Sequence, residues 1–360
     1  MPVRTPLMTL LGIEHPVIQA PMAGGGDTPA MVAAVAEAGG IGFVGAQYLA
    51  LDRIGEAART IRSRTNRAFG VNLFAPQPAP RVPDDLRPAL DRVAPFFAEL
   101  GLEPPEAPTA PADGFEDRLE AVLETGASVL SFTLGLLPDS AVQAAKARGM
   151  TVIGTATTVD EAVALERSGV DAIVAQGGEA GGHRGTFLGD LESGVVGTMA
   201  LVPQVIDAVS APVIASGGIM DGRGIAAALV LGAQAVQMGT AFLTCAEAGV
   251  PEAYKAAILG AAEHRTRVTR AFSGRPARGI VNRFMDDVES GAGPDGILDF
   301  PLQNGLTRPM RTAAGQQGKA EYLSLWAGQG VRLARRTTAS ELMAALAAET
   351  EAALARAGCG

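Results

Sequence analysis

Short apolar runs alternate with helical patterns along most of the chain. The apolar runs stand at 16–22, 40–46, 69–74, 129–134, 151–155, 172–176, 212–216 and 235–238. Between most of them lie alanine-rich stretches with the period of an amphipathic helix, at 29–38, 139–148, 159–168, 198–209 and 221–231. Strands that are apolar throughout, separated by helices, predict a parallel sheet covered on both faces. Eight such units predict an α/β protein of the closed (β/α)8 TIM-type barrel class rather than an open sheet.

Two segments break the alternation. Residues 75–115 carry ten prolines, among them Pro76, Pro78 and Pro111, with short helices expected around 85–100. Residues 264–320 carry glycine and proline clusters, including 290–296. Insertions after barrel strands commonly build lids over the working face. The expected organisation is a barrel from 1–74 and 116–263, and a smaller substrate-side lobe from the insertions 75–115 and 264–325. A C-terminal helical segment, 326–360, then docks on the barrel, with Ser340 as N-cap and Leu342, Leu346 and Leu354 on one face. Gly40 to Gly45 matches GxGxxG, but it follows a helix and lies within a predicted strand. A dinucleotide fingerprint must follow a strand and open a helix.

Composition narrows the function. The chain of 360 residues is 48 % apolar and 19 % charged, as a globular enzyme is. Its net charge of −9 and 4 % aromatics offer neither the basic footprint nor the stacking platforms of nucleic-acid binding. Two distant cysteines, Cys245 and Cys359, make no disulfide framework, and no signal-peptide pattern precedes them. The apolar stretch from Ile225 to Phe242 is interrupted by Gln234 and Gln237, so no membrane span is expected. A cytoplasmic protein is the expectation, and pairing with a second copy as a homodimer stays open.

Candidate chemistry gathers at the strand ends, where barrels work. The run 172–176 ends in Gln176 and leads into five glycines around His183, one of only three histidines. Other strands end in Met22 and Gly24-Gly25-Gly26, in Asn72, in Ser216-Gly217-Gly218, and in Gln237-Met238-Gly239-Thr240. Amides and glycines with few carboxylates suit a planar, hydrogen-bonding, phosphorylated ligand. The N–H groups of Gly217, Gly218, Gly239 and Thr240 are the expected phosphate cradle, aided by helices starting near Asp221 and after Thr240. Histidine spacings for a metal site and a GxSxG nucleophile elbow are both missing, so no metal is expected.

These residues bear a resemblance. The chain resembles the class I nitronate monooxygenases, the 2-nitropropane dioxygenase family. The resemblance rests on Gln19–Met22, Val71–Phe74, Gln176–Gly185, Ala215–Gly224, Gln237–Thr240, Ser273–Gly279 and Trp326–Gly330, in order over nearly the whole chain. It implies an FMN-dependent barrel that oxidises alkyl nitronates, such as propionate 3-nitronate, with O₂ and without a nicotinamide cofactor. By the same resemblance Met22, Asn72, Gln176, Gly181, Gly217, Gly218, Gln237, Met238, Gly239 and Thr240 adjoin FMN. His183 then faces the substrate, removing or holding the proton α to the nitro group and stabilising the nitronate charge. Similar proteins carry tyrosines and a lysine where this chain has Phe300, Asn304 and Arg308. Arg308 and Asn304 are therefore the candidate substrate contacts. Two alternatives remain: an FMN-dependent NAD(P)H:quinone or enoyl-acyl-carrier-protein reductase, and a barrel that binds a phosphorylated metabolite without redox chemistry.

Overall fold

A computed structural model describes residues 3–109, 114–293 and 295–358. Pro111, Pro294 and Cys359 lie outside the described residues, as do 110–113 of the first insertion. The strands in chain order are β1 Val17–Gln19, β2 Ile41–Gly45, β3 Gly70–Phe74, β4 Val129–Thr133, β5 Thr151–Ala156, β6 Ala172–Gln176, β7 Gly182–His183, β8 Val213–Ser216, β9 Ala235–Met238, β10 Thr266–Thr269 and β11 Ala277–Ile280. Eight of them form a closed parallel barrel in the order β1-β2-β3-β4-β5-β6-β8-β9, with Ile18 opposite Gln237 at the seam. The (β/α)8 expectation is met. The Gly40–Gly45 segment contributes barrel strand β2 and does not open a helix as a dinucleotide fingerprint must.

The barrel closes because its strands are apolar on both faces. Inside and at its base, Ile18, Ile41, Phe43, Val129, Ile153, Val174 and Ile214 pack with Leu7, Met8 and Leu11 of an N-terminal helix, Pro6–Leu11. Outside, the helices bury Val32, Val142, Leu165, Val205 and Ile225 against the strands. A separate core lies above the strand ends, where Phe96, Phe272, Phe284, Met285, Leu306 and Met310 meet. Among the described residues no helix is long and apolar enough to cross a membrane.

Three details depart from the expectations. The first strand stops at Gln19, which leaves Met22 in a loop. The last helix, Ala339–Arg356, is capped by Thr338 and not Ser340, because Glu341 three residues on completes a reciprocal capping box. Residues 302–317, within a segment read as glycine- and proline-rich, form a helix that buries Leu302, Leu306, Met310 and Ala314 at helical spacing.

Candidate active site

The strand ends open into one cavity of about 890 Å³. All the residues singled out above line it: His183, Met22, Asn72, Gln176, Gly181, Gly217, Gly218, Gln237, Met238, Gly239, Thr240, Asn304 and Arg308. Its wall also includes Tyr48, Arg311, Tyr254 and Trp326, which sequence reasoning missed.

His183 is held by more than a flexible loop. It belongs to β7, which pairs antiparallel with β11 so that His183 faces Ala277 and Gly182 faces Arg278. With β10 these strands form a small second sheet, order β10-β11-β7. Gln176 braces the same turn from β6, its Nε2 donating to His183 O at 3.1 Å and its Oε1 accepting from Gly185 N at 2.9 Å. Arg184, 1 % exposed, reaches back to Gly177 O (2.8 Å), Gln176 O (2.9 Å) and Gly194 O (2.8 Å).

The imidazole has a defined proton. Ser273 Oγ donates to Arg275 O at 3.0 Å, so the same oxygen accepts from His183 Nε2 at 2.9 Å. Nε2 therefore carries the hydrogen and Nδ1 the lone pair. Phe74, Phe300 and Trp326 surround the ring at centroid distances of 6.0, 5.9 and 5.9 Å. Burial, with the Arg275 and Arg311 guanidiniums added, pushes its pKa down to about 3. The imidazole is neutral at physiological pH.

The glycine loops of β8 and β9 form the other side. Gly217 and Gly218 adopt φ of +123° and +69°, which a side chain would strain. Among the described residues the N–H groups of Gly217, Gly218, Gly239 and Thr240 have no protein acceptor. A Cβ on Gly239 would meet nothing closer than Ala20 Cβ at 3.6 Å, so the space above it belongs to the cavity. The expected help from the helix near Asp221 does not arrive. In the helix Gly222–Val230, Asp221 Oδ1 accepts from Arg223 N and Gly224 N, and Glu349 Oε2 accepts from Gly222 N at 3.1 Å. Carboxylates already occupy that terminus. The helix after Gly239, Thr240–Leu243, is a single turn.

The 326–330 segment completes the wall. Gly328 N donates to Thr240 Oγ1 at 3.0 Å and Gln329 N to Glu179 O at 2.9 Å. A Cβ on Gly181 would lie 2.6 Å from Ala327 C and Gly328 N, so this packing requires glycine. Met238 is buried in the barrel core and also borders the cavity. Asn72 Nδ2 donates to Ser131 Oγ at 2.9 Å, while among the described residues the Gln237 amide has no hydrogen-bond partner.

The loop after β1 is held by Asp27, whose Oδ2 accepts from Met22 N (2.6 Å) and Gly45 N (2.9 Å). Burial outweighs these bonds and raises its pKa to about 6. A carboxyl whose folded pKa exceeds its unfolded value favours the fold most when protonated. Stability is thus lost as pH rises from about 4 to 6. Asp27→Asn keeps an oxygen for both N–H groups and removes the charge. It is expected to stabilise the protein by roughly 1–2 kcal/mol at pH 8 and by little at pH 4, read from urea unfolding. Equal effects at both pH values would contradict the assignment.

Known proteins resemble this chain over nearly its whole length. The profile of a family described as nitronate monooxygenase matches residues 4–349. A probable nitronate monooxygenase of Staphylococcus aureus (strain Newman) is 43 % identical over 338 residues, 94 % of each chain. The crystal structure of nitroalkane oxidase from Streptomyces ansochromogenes superimposes with a TM-score of 0.90 at 40 % identity, covering 98 % of this chain and 100 % of that one. FabK from Thermotoga maritima superimposes with a TM-score of 0.78 at 31 % identity, over 99 % of both chains.

Proposed function

The chain belongs to the nitronate monooxygenase family, and from that premise we propose that it binds FMN at the barrel mouth and oxidises a preformed alkyl nitronate with O₂. The observation that carries this reading is the charge of the wall. Arg308 and Arg311 line the cavity, and among the described residues no Asp or Glu does. A cationic cavity around a neutral imidazole favours an anion over a neutral nitroalkane. An imidazole this reluctant to take a proton is also a poor base for a neutral carbon acid.

The residues fit the cofactor. A cavity of about 890 Å³ is within the size of cofactor sites. The open N–H groups of Gly217, Gly218, Gly239 and Thr240 suit a phosphate, and the space over Gly239 would be filled by any side chain. Gln237 and the Asn72 carbonyl oxygen offer amide groups to a flavin ring edge. When bound, the flavin accepts electrons from the substrate and passes them to O₂.

The chain's own groups do the rest. The His183 Nδ1 lone pair holds the substrate α-carbon in place without taking a proton from it, with Ser273 fixing the ring. Arg311 stabilises the anionic oxygens, and the aromatic rings of Phe74 and Trp326 in the wall limit water.

Anaerobic mixing of the purified holoprotein is the test. Bleaching of the flavin absorbance by an alkyl nitronate, and not by NADH or the parent nitroalkane, is the expected outcome. Rapid bleaching by NADH would replace this reading with the reductase. A protein that stays colourless after FMN is supplied would leave only a metabolite-binding barrel.

A further inference from the structure

Arg308, the cation expected to meet the substrate, lines the cavity from the helix Leu302–Gln317 but stays open to solvent. Its guanidinium carbon lies over the Tyr48 ring, 5.0 Å from the centroid. One turn later Arg311 enters the cavity wall. We propose that Arg311 is the anion seat of this site, taking a planar group with two oxygens on one atom, as in a nitronate or a carboxylate. The proposal rests on the nitronate reading and adds the residue that selects the anion.

Three observations support it. First, among the described residues every partner of Arg311 is a neutral oxygen. Nη2 donates to Asn304 O at 2.9 Å and Asn304 Oδ1 at 2.8 Å, and Nη1 reaches Ser324 Oγ at 3.4 Å. Nε is buried and donates to nothing among the described residues. A buried cation is normally paired, and unmet donors on it are costly. A bound anion would supply what the protein withholds.

Second, the fork is held in orientation. Asn304, 6 % exposed, grips one nitrogen through two oxygens and leaves the rest of the planar guanidinium free. Planar two-oxygen anions are the group that such a fork recognises. Third, the charge sits beside the chemistry. Arg311 is among the cations that hold down the proton affinity of His183, and it also acts on Tyr48 and Tyr254. The Tyr48 hydroxyl is likewise buried and without a partner among the described residues, so two cavity-lining side chains have donors left unmet.

Nitrate, an inert planar anion, serves as the probe on the holoprotein, followed by the flavin absorbance shift and by competitive inhibition of nitronate turnover. Arg311→Met is expected to weaken nitrate binding and raise KM by about 10- to 100-fold, with a smaller change in kcat. Arg311→Lys keeps the charge without the fork and should fall between. Arg308→Met should show the smaller loss of the two arginine sites. Should the methionine variant not fold, Arg311→Gln, which can still reach Asn304, decides in its place. Nitrate affinity within twofold of the parent in a folded Arg311→Met or Arg311→Gln protein overturns the proposal, as does a larger loss at Arg308. Nitrate held through Arg311 by a protein that turns over no nitronate would sink the functional reading and leave the anion seat standing. Turnover that is indifferent to Arg311 would do the reverse.

Discussion

His183→Asn is expected to lower kcat/KM for an alkyl nitronate by about 10²- to 10⁴-fold while leaving the fold and the cofactor in place. Asparagine is smaller than imidazole, polar, and compatible with the half-buried site in β7, whose pairing to β11 is made by backbone groups. What it lacks is the Nδ1 lone pair that the Ser273 contact orients. The same geometry sets the pH dependence. With a pKa held at about 3, His183 is already neutral well below physiological pH, so kcat/KM should show no inflection near the ordinary value of about 6.5. The linkage runs the other way for stability. The unfolded chain takes up the proton first, so the contribution of His183 falls as pH drops from about 6.5 toward 3. Undiminished turnover in His183→Asn would remove His183 from the chemistry. An inflection near 6.5 that vanishes in the variant would show a titrating imidazole instead.

Arg184→Met should be the most damaging single change to the scaffold of the site. The guanidinium is fully enclosed and donates to three carbonyl oxygens, Gln176 O, Gly177 O and Gly194 O. Burial, with Arg278 nearby, pushes its pKa down to about 10, against the opposing pull of Glu179 and Glu161. Methionine fills much of the volume but leaves those acceptors dry. Each stranded buried carbonyl costs about 1–3 kcal/mol, so a loss of about 3–5 kcal/mol is expected after partial relaxation. Because Arg184 adjoins His183 and grips the turn that Gln176 braces, flavin retention should fall together with stability. Urea unfolding and the flavin-to-protein absorbance ratio measure the two losses. A variant as stable as the parent, with full flavin content, would show that Arg184 does not hold the loop.

Much of the molecule was readable in one dimension. The barrel strands follow from apolar runs between helical periods, which are local patterns. The strand ends then named the cavity, since in a closed parallel barrel they must converge at one rim. Reading failed where local signal was weak or two segments competed. The two residues of β7 are too few for any period to show, so His183 looked like a loop residue. Gly305, Pro309 and Gly315 masked the helix Leu302–Gln317, and without its phase Arg308 could not be told from Arg311. Thr338 and Ser340 are both competent caps. The deciding Glu341 was legible as the third residue after Thr338.

The order of residues by itself determined the barrel, the eight strand ends, and the glycine and amide character of the mouth, because each depends on neighbours a few positions apart. Tertiary structure alone decided the rest. It set the protonation of His183, because Ser273 is 90 residues away and the lowering charges come from other elements. It filled the helix terminus at Asp221, because Glu349 arrives from 127 residues further on. It also enclosed Arg311 in the cavity wall while leaving Arg308, on the same wall, exposed. Proton affinity, unmet donors and exposure are properties of enclosed space, and that space exists only once distant segments have packed around it.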